Sequence, residues 1–217
     1  MSTQLNLKEI ERKAYRSTYQ DGLWDIYYGL IVVGMSIFIY HPAEGYSAMN
    51  IILSLLIISL AYGLFWAGKK YITLPRMGQV HFGEIRKQKK RTLAIIMGIF
   101  VLILIVLVGL TTLGWMNPQA SSDVKGALAV HNSELLVVAL IGSLILGTSM
   151  IVVAYYSDFP RGYYIALMMA MAVFLMIYLN KPIYPILIGG LIILPGVVLF
   201  IRFLKMYPLP REEAVRE

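Results

Sequence analysis

The sequence predicts an all-α integral membrane protein, a bundle of six transmembrane helices with a small cytoplasmic hairpin loop. Of its 217 residues, 59% are hydrophobic and only 14% are charged, and the mean hydropathy is +0.71. Soluble domains carry about 25% charged residues, so a water-soluble fold could not bury this much apolar surface. The apolar residues form continuous runs without the alternation of a barrel strand, which predicts helices as the spanning elements.

Six apolar runs have the length that a membrane crossing requires. Each has about 18 to 24 residues, and a helix of about 20 residues crosses ~30 Å of hydrocarbon. The predicted spans are about 23–40, 48–67, 92–115, 133–156, 162–180 and 183–204. Together they form one transmembrane domain, 23–204, which follows an N-terminal segment, 1–22, and precedes a C-terminal tail, 205–217.

The distribution of basic residues predicts the orientation of the bundle. All but two of the 19 Lys and Arg residues lie in the N-terminal segment, the 69–91 loop, the 157–161 turn and the C-terminal end. The two exceptions are Lys125 and Lys181. Basic residues concentrate on the cytoplasmic side, so both termini and the 69–91 loop are predicted to be cytoplasmic. We expect no nucleic-acid partner, because the net charge of +7 is spread between apolar blocks.

The 69–91 loop is the longest predicted cytoplasmic connection. Tyr71–Leu74 and Gln79–Phe82 are short β-favouring runs around Pro75-Arg76-Met77-Gly78, where Pro and Gly favour a turn. This pattern predicts a small hairpin, followed by a basic lead-in, Glu84–Arg91, to the third span.

The lead-in contains a basic cluster that adjoins the membrane. Such a cluster fixes the topology, and it also attracts anionic lipid headgroups at the cytoplasmic face. Membrane lipids are therefore expected partners, although topology alone also accounts for the charge. The cluster consists of Arg86, Lys87, Lys89, Lys90 and Arg91.

Two aspartates at the start of the first span form a candidate site with two arginines. Asp21 and Asp25 are four residues apart and share a helix face. One interpretation is structural, because acids at a helix N-terminus meet its dipole favourably and Asp21 before Gly22 suits an N-cap. The other is that Asp25 pairs with Arg76 or Arg161, since a carboxylate at headgroup depth needs a partner. The two interpretations are compatible.

Two His-x-x-Glu units, His41 with Glu44 and His131 with Glu134, fall on the predicted external side. Imidazole and carboxylate groups together suit Zn²⁺ or another divalent ion. The spacing also arises by chance, and Glu134 suits the first turn of the fourth span as a helix-start acid. We therefore expect no metal site and no cofactor.

The spans contain no Lys, Arg, Asp, Glu or His between the interfaces. Proton- or sodium-coupled transport normally uses such a residue, since an embedded charge costs at least ~2.5–3.5 kcal/mol and is kept mainly for a mechanism. Nucleotide-binding, zinc-protease and serine-hydrolase motifs are absent as well, and no catalytic residue is predicted.

Three functional hypotheses remain. The first is a non-enzymatic scaffold, assembly or regulatory subunit whose cytoplasmic face meets a membrane-protein partner, a second copy or lipid. The second is a small transporter or channel for a neutral or lipidic solute, and the third is an interfacial lipid-modifying enzyme. The second would use a sixth span weakened by Gly189, Gly190, Pro195 and Gly196.

Three motifs resemble those of a group of uncharacterised prokaryotic polytopic membrane proteins. The resemblance implies the plasma membrane of a bacterium or archaeon, and it carries no activity. The motifs are Asp21-Gly22-Leu23-Trp24-Asp25, Pro75-Arg76-x-Gly78-x-Val80-x-Phe82 and Arg202-Phe203-Leu204-x-x-Tyr207-Pro208.

Overall fold

A computed structural model describes residues 17–39, 48–77, 84–116 and 133–208, of which 39, 84–85, 107–116 and 133–135 are described by their backbone alone. These residues are almost entirely helical, and the described ranges contain no strand. A π-helix, Gly68–Thr73, joins the helix Ala48–Ala67 to the short helix Leu74–Met77. The helices are α1 (Leu23–Ile39), α2 (Ala48–Ala67), α3 (Leu74–Met77), α4 (Glu84–Met116), α5 (Ser133–Tyr156), α6 (Arg161–Leu179) and α7 (Ile183–Met206).

Four helical segments are long and apolar enough to cross a membrane, as in a multi-pass membrane protein. They correspond to the predicted second, fourth, fifth and sixth spans. α1 is apolar but has only 17 residues, and the predicted third span lies in α4, where side chains are described only through residue 106. The four segments are Ala48–Met77, Leu136–Tyr156, Arg161–Leu179 and Ile183–Met206.

The prediction that Tyr71–Leu74 forms the first strand of a hairpin is wrong. Tyr71–Leu74 is helical, because the chain leaves α2 without a break, passes through the π-helix and enters α3. The β-favouring side chains of this short run are outweighed by backbone hydrogen bonds of the continuing helix, such as that from the Leu74 N–H to the Lys69 carbonyl. The second predicted strand, Gln79–Phe82, lies outside the described residues. The basic lead-in is also helical, since it forms the first turns of α4.

The helices pack side by side in the order α2, α1, α7, α6, α5, α4. α1 also contacts α6, so α1, α6 and α7 form the centre of the bundle. The core includes Val32 of α1, Ile165 and Met169 of α6 and Ile192 of α7. Large apolar side chains also cover the outer faces, where Leu102 and Leu144 are 62% and 65% exposed. That distribution suits lipid as the surrounding solvent.

α1 and α7 approach each other closely through glycines. A Cβ atom on Gly29 would lie 2.8 Å from the Gly189 carbonyl oxygen, and one on Gly22 would lie 2.2 Å from the Gly196 carbonyl oxygen. Small residues at such positions let transmembrane helices pack backbone against backbone. Gly22 also has a φ of +74°, so the residue that ends the turn before α1 requires glycine for its conformation as well.

Candidate functional site

One end of the bundle gathers the buried charges of the described chain. The N-terminus of α1, the π-helix after α2 and the N-terminus of α6 meet there. Their polar side chains form an aspartate cluster, which we define as Asp21, Asp25, Lys69, Thr73 and Arg161. Two carboxylates face one ammonium and one guanidinium group, so the cluster has no net charge.

Asp21 is completely buried and accepts three hydrogen bonds. Its Oδ2 atom lies 2.6 Å from Lys69 Nζ and 2.8 Å from Thr73 Oγ1. Its Oδ1 atom lies 3.3 Å from the backbone nitrogen of Leu23, the first residue of α1. The same carboxylate therefore begins α1 and ties it to the π-helix. Such helices are rare and are often found at functional sites.

Asp25 lies one turn further along α1 and forms an ion pair with Arg161. The guanidinium group donates through Nη1 to Asp25 Oδ2 and through Nη2 to the Tyr19 carbonyl oxygen. The Asp25 side chain is 5% exposed and that of Arg161 is 34% exposed. The predicted pairing of Asp25 with Arg161 is thus present, and it links α1 to α6.

The segment that precedes α1 is held between the two ion pairs. Lys69 Nζ lies 2.5 Å from the Thr18 carbonyl oxygen, in addition to its contact with Asp21. The Tyr19 ring stacks on Phe159 at 5.0 Å and on Trp24 at 5.5 Å between centroids. Lys69 and Arg161 therefore each neutralise one carboxylate, and each also donates a hydrogen bond to a backbone carbonyl of the segment that precedes α1.

Arg76 does not pair with Asp25, contrary to one of the two predicted pairings. Its Nη1 atom lies 3.1 Å from the Leu204 carbonyl oxygen and 2.8 Å from the Tyr207 carbonyl oxygen. These are carbonyls at the C-terminus of α7, where a cation meets the helix dipole favourably. Arg76 extends from α3, and this position brings it to α7 rather than to α1.

The basic cluster of α4 is divided between the protein and the solvent. Arg86 is buried and forms an ion pair with Asp158 in the turn between α5 and α6, so it does not face lipid as predicted. Lys89 Nζ lies 3.7 Å from the same carboxylate, and its side chain is 43% exposed. Lys87, Lys90 and Arg91 are exposed, as a headgroup-binding surface requires.

Sequence reasoning missed Lys69, Thr73 and Asp158 as members of these networks. Lys69 and Thr73 lie in the segment that was interpreted as loop and strand, where no helix face was expected. The signal for Asp158 is its position, because an aspartate between two spans that have basic flanks indicates an ion pair. The turn there has a left-handed backbone, with a φ of +48° at Asp158. The sequence predicts that Asp21, Asp25 and Asp158 lie on the cytoplasmic side together with their cations, but it does not determine which pairs form.

The predicted metal candidates cannot be placed. His41, Glu44 and His131 lie outside the described residues, and Glu134 is described by its backbone alone. Within the described ranges, no group of three or more His, Cys, Asp or Glu side chains is arranged to hold a metal ion.

The contacts of the Asp21 and Asp25 carboxylates support a structural role. Asp21 and Asp25 are buried and already accept hydrogen bonds from charged partners, so neither is presented to a substrate in this arrangement. Between α1, α6 and α7, a cavity of about 10 Å³, lined by Val32, Ser36 and Met176 among others, has room for about one water molecule.

No family model, curated protein or solved structure matches the chain.

Proposed function

We propose that this protein is a six-span membrane protein of a bacterial or archaeal plasma membrane, with both termini in the cytoplasm. It acts as a non-enzymatic scaffold, assembly or regulatory subunit, and it meets a membrane-protein partner, a second copy or anionic lipid through its cytoplasmic face. The observation that carries the proposal is the internal neutralisation of the aspartate cluster, in which each buried carboxylate is engaged by a cation of the same chain.

The topology is supported by charge and by the ends that the helices bring together. The start of α1, the end of α3, the turn before α6 and the end of α7 meet at the end of the bundle that holds the aspartate cluster. The end of α3, the turn before α6 and the end of α7 carry basic residues, and the start of α1 follows an N-terminal segment that is itself basic. The positive-inside rule assigns such segments to the cytoplasm. Lys181, one of the two exceptions, lies in the turn between α6 and α7 at the other end.

The scaffold role is favoured over an enzyme by the state of the carboxylates. A general acid or base must reach the proton that it transfers. Asp21 is 0% exposed and Asp25 is 3% exposed, and both are committed to Lys69, Thr73 and Arg161. The cluster is therefore suited to fixing the relative positions of α1, α2 and α6, which gives the bundle end a constant shape.

The transporter hypothesis depended on a weakened last helix. Gly189 and Gly196 instead pack against α1, where an added Cβ atom would lie 2.7 Å from Val33 Cγ2 and 2.9 Å from Asp25 Cβ, respectively. α7 continues through Pro195 to Met206. These contacts favour a rigid α1–α7 pair over a moving half-helix.

The experiment is site-specific photocrosslinking in native membranes. A photoreactive residue at Lys70 or Tyr207, both exposed at the cluster end, should give one discrete protein adduct of constant mass. The same residue at Lys181, exposed at the other end, is the matched control and should not give that adduct. Solute flux or phospholipid turnover by the purified protein in proteoliposomes, without any discrete adduct, would contradict the scaffold role.

A further inference from the structure

The turn between α5 and α6 forms a surface pocket with the start of α4. Its volume is about 250 Å³. Pockets for drug-sized ligands measure roughly 300–1,000 Å³, so this one suits a smaller group. Its lining includes Lys89 of α4, Asp158 and Pro160 of the turn, and Tyr155 and Tyr163 of the flanking helices.

A lysine at the rim of this pocket suits an anionic ligand. Asp158 forms its close ion pair with Arg86, while Lys89 Nζ stands at 3.7 Å, beyond hydrogen-bonding distance. Among the described side chains, two cations thus lie close to this one carboxylate. Because the Lys89 side chain is 43% exposed, its ammonium group can turn toward a ligand while Arg86 still neutralises Asp158.

Two tyrosines line the pocket, and apolar surface adjoins it on the same helices. Tyr155 and Tyr163 are 65% and 46% exposed, and each carries a hydroxyl that can donate to a phosphate oxygen. One turn further along the same helix faces lie Ile151 and Leu167, which are 46% and 65% exposed. A ligand with a charged head at Lys89 would therefore have apolar surface on α5 and α6 for an attached chain.

We propose that this pocket binds the phosphodiester of an anionic phospholipid, with Lys89 as the charged contact and the two tyrosines as hydroxyl donors. The inference rests on the proposed membrane function and deepens it by naming the lipid class and the residues. Lipid is favoured over a free phosphate because the apolar faces of Ile151 and Leu167 continue directly from the pocket. The exposed cations Lys87, Lys90 and Arg91 on the same turns of α4 add attraction for the anionic headgroup.

Native mass spectrometry of the full chain in detergent tests the proposal independently of topology or partner. The probes are phosphatidylglycerol, phosphatidylcholine, inorganic phosphate and glycerol 3-phosphate. Wild-type protein should retain phosphatidylglycerol over phosphatidylcholine. Lys89→Gln should lower that retention about tenfold or more, as expected when one hydrogen bond between charged groups is lost. The double variant Tyr155→Phe with Tyr163→Phe should also lower the retention of phosphatidylglycerol.

The matched control is Lys87→Gln, which removes the same charge from an exposed position on the same helix that does not line the pocket. It should lower retention less than about fivefold, since it removes only a share of the surface field. Equal losses in the two lysine variants would overturn the site and leave only a diffuse basic surface. Displacement of phosphatidylglycerol by equimolar inorganic phosphate or glycerol 3-phosphate would overturn the assignment to lipid. Melting temperatures of the variants report whether each one is folded.

Discussion

At the scale of single residues, Lys69 and Lys70 are neighbours with different roles. Lys69 Nζ lies 2.6 Å from the completely buried Asp21 carboxylate, whereas Lys70 Nζ lies over the Trp66 ring at 4.6 Å from its centroid and is exposed. The first contact is an ion pair with a completely buried carboxylate, and the second is a surface cation–π contact. The two lysines therefore offer a matched test of the cluster.

Lys69→Ala should lower the free energy of unfolding by about 3 kcal/mol, because it leaves the Asp21 carboxylate buried without its cation. Lys70→Ala should cost about 0.5–1 kcal/mol, as expected for an exposed cation–π contact. Thermal unfolding in detergent, followed by tryptophan fluorescence, measures both. Equal losses in the two variants would contradict the assignment of Lys69 to a buried ion pair.

A second prediction concerns the partner of Asp25. Asp25→Asn and Arg161→Ala should each lower the free energy of unfolding by about 2–3 kcal/mol, somewhat less than for a fully buried pair because Arg161 is 34% exposed. The double variant should lose about 1–2 kcal/mol less than the sum of the single losses, since the two side chains contact each other.

Arg76→Ala is the control for this cycle. Arg76 binds carbonyl oxygens of α7 and does not contact Asp25. The effects of Arg76→Ala and Asp25→Asn should therefore add within about 0.5 kcal/mol. Additivity of Arg161→Ala with Asp25→Asn, or coupling of Arg76→Ala with it, would show that the carboxylate has a different partner.

At the scale of helices, the α1–α7 contact depends on one face of α7. Gly189 faces α1, where a Cβ atom would lie 2.7 Å from Val33 Cγ2 and 2.9 Å from the Gly29 carbonyl oxygen. Gly190 is the next residue, and a Cβ atom there would meet nothing within 4 Å. The two glycines share the same helix and the same backbone conformation, so their substitution separates packing from helix propensity.

Gly189→Ala should destabilise the protein by about 1–3 kcal/mol, because the added methyl group overpacks the contact. Gly190→Ala should be neutral or stabilising by up to about 1 kcal/mol, because alanine is the better helix former. The melting temperatures of the two variants in detergent measure this difference. If Gly189→Ala is as well tolerated as Gly190→Ala, the close packing of α1 on α7 is wrong.

How well each helix can be predicted from the sequence depends on whether local residues or distant contacts stabilise it. For five of the six predicted spans, the helix bounds lie close to those observed, since a run of about 20 apolar residues has few alternatives to a spanning helix. The third span, predicted from residue 92, lies in α4, which begins at Glu84. The segment 69–77 was missed, because its β-favouring side chains are a weak local signal and the continuing helix is stabilised by contacts with Asp21 from a distant part of the chain. Local pattern does not report such contacts.

The same limit applies to the site. From the sequence, the partners of Asp25 could be narrowed to Arg76 and Arg161, because charge at an interface requires a partner and few candidates lie on the same side. The sequence did not distinguish Arg76 from Arg161, since proline precedes both. The sequence predicts Arg86 as part of one basic cluster, and only the position of the α5–α6 turn shows that Arg86 pairs with Asp158.

At the scale of the whole molecule, the aspartate cluster, the Arg86–Asp158 pair and the hydrogen bonds of Arg76 to the C-terminus of α7 lie at one end of the bundle. They connect α1, α2, α4, α6 and α7 outside the apolar middle, where helix packing alone would leave neighbours free to slide. We propose that this end is cytoplasmic, because nearly all the basic residues of the chain lie in the segments that meet there or flank it. The proposed contact with a cytoplasmic partner depends on this orientation.

Cysteine labelling of intact cells tests this central claim most directly, since the chain has no cysteine of its own. Lys87→Cys and Lys181→Cys place single thiols at exposed positions in α4 and in the turn between α6 and α7. A membrane-impermeant thiol reagent should label the variant at 181 in intact cells and the variant at 87 only after permeabilisation, with denatured protein as the control for reactivity. Labelling of the variant at 87 in intact cells, with protection of the variant at 181, would contradict the account.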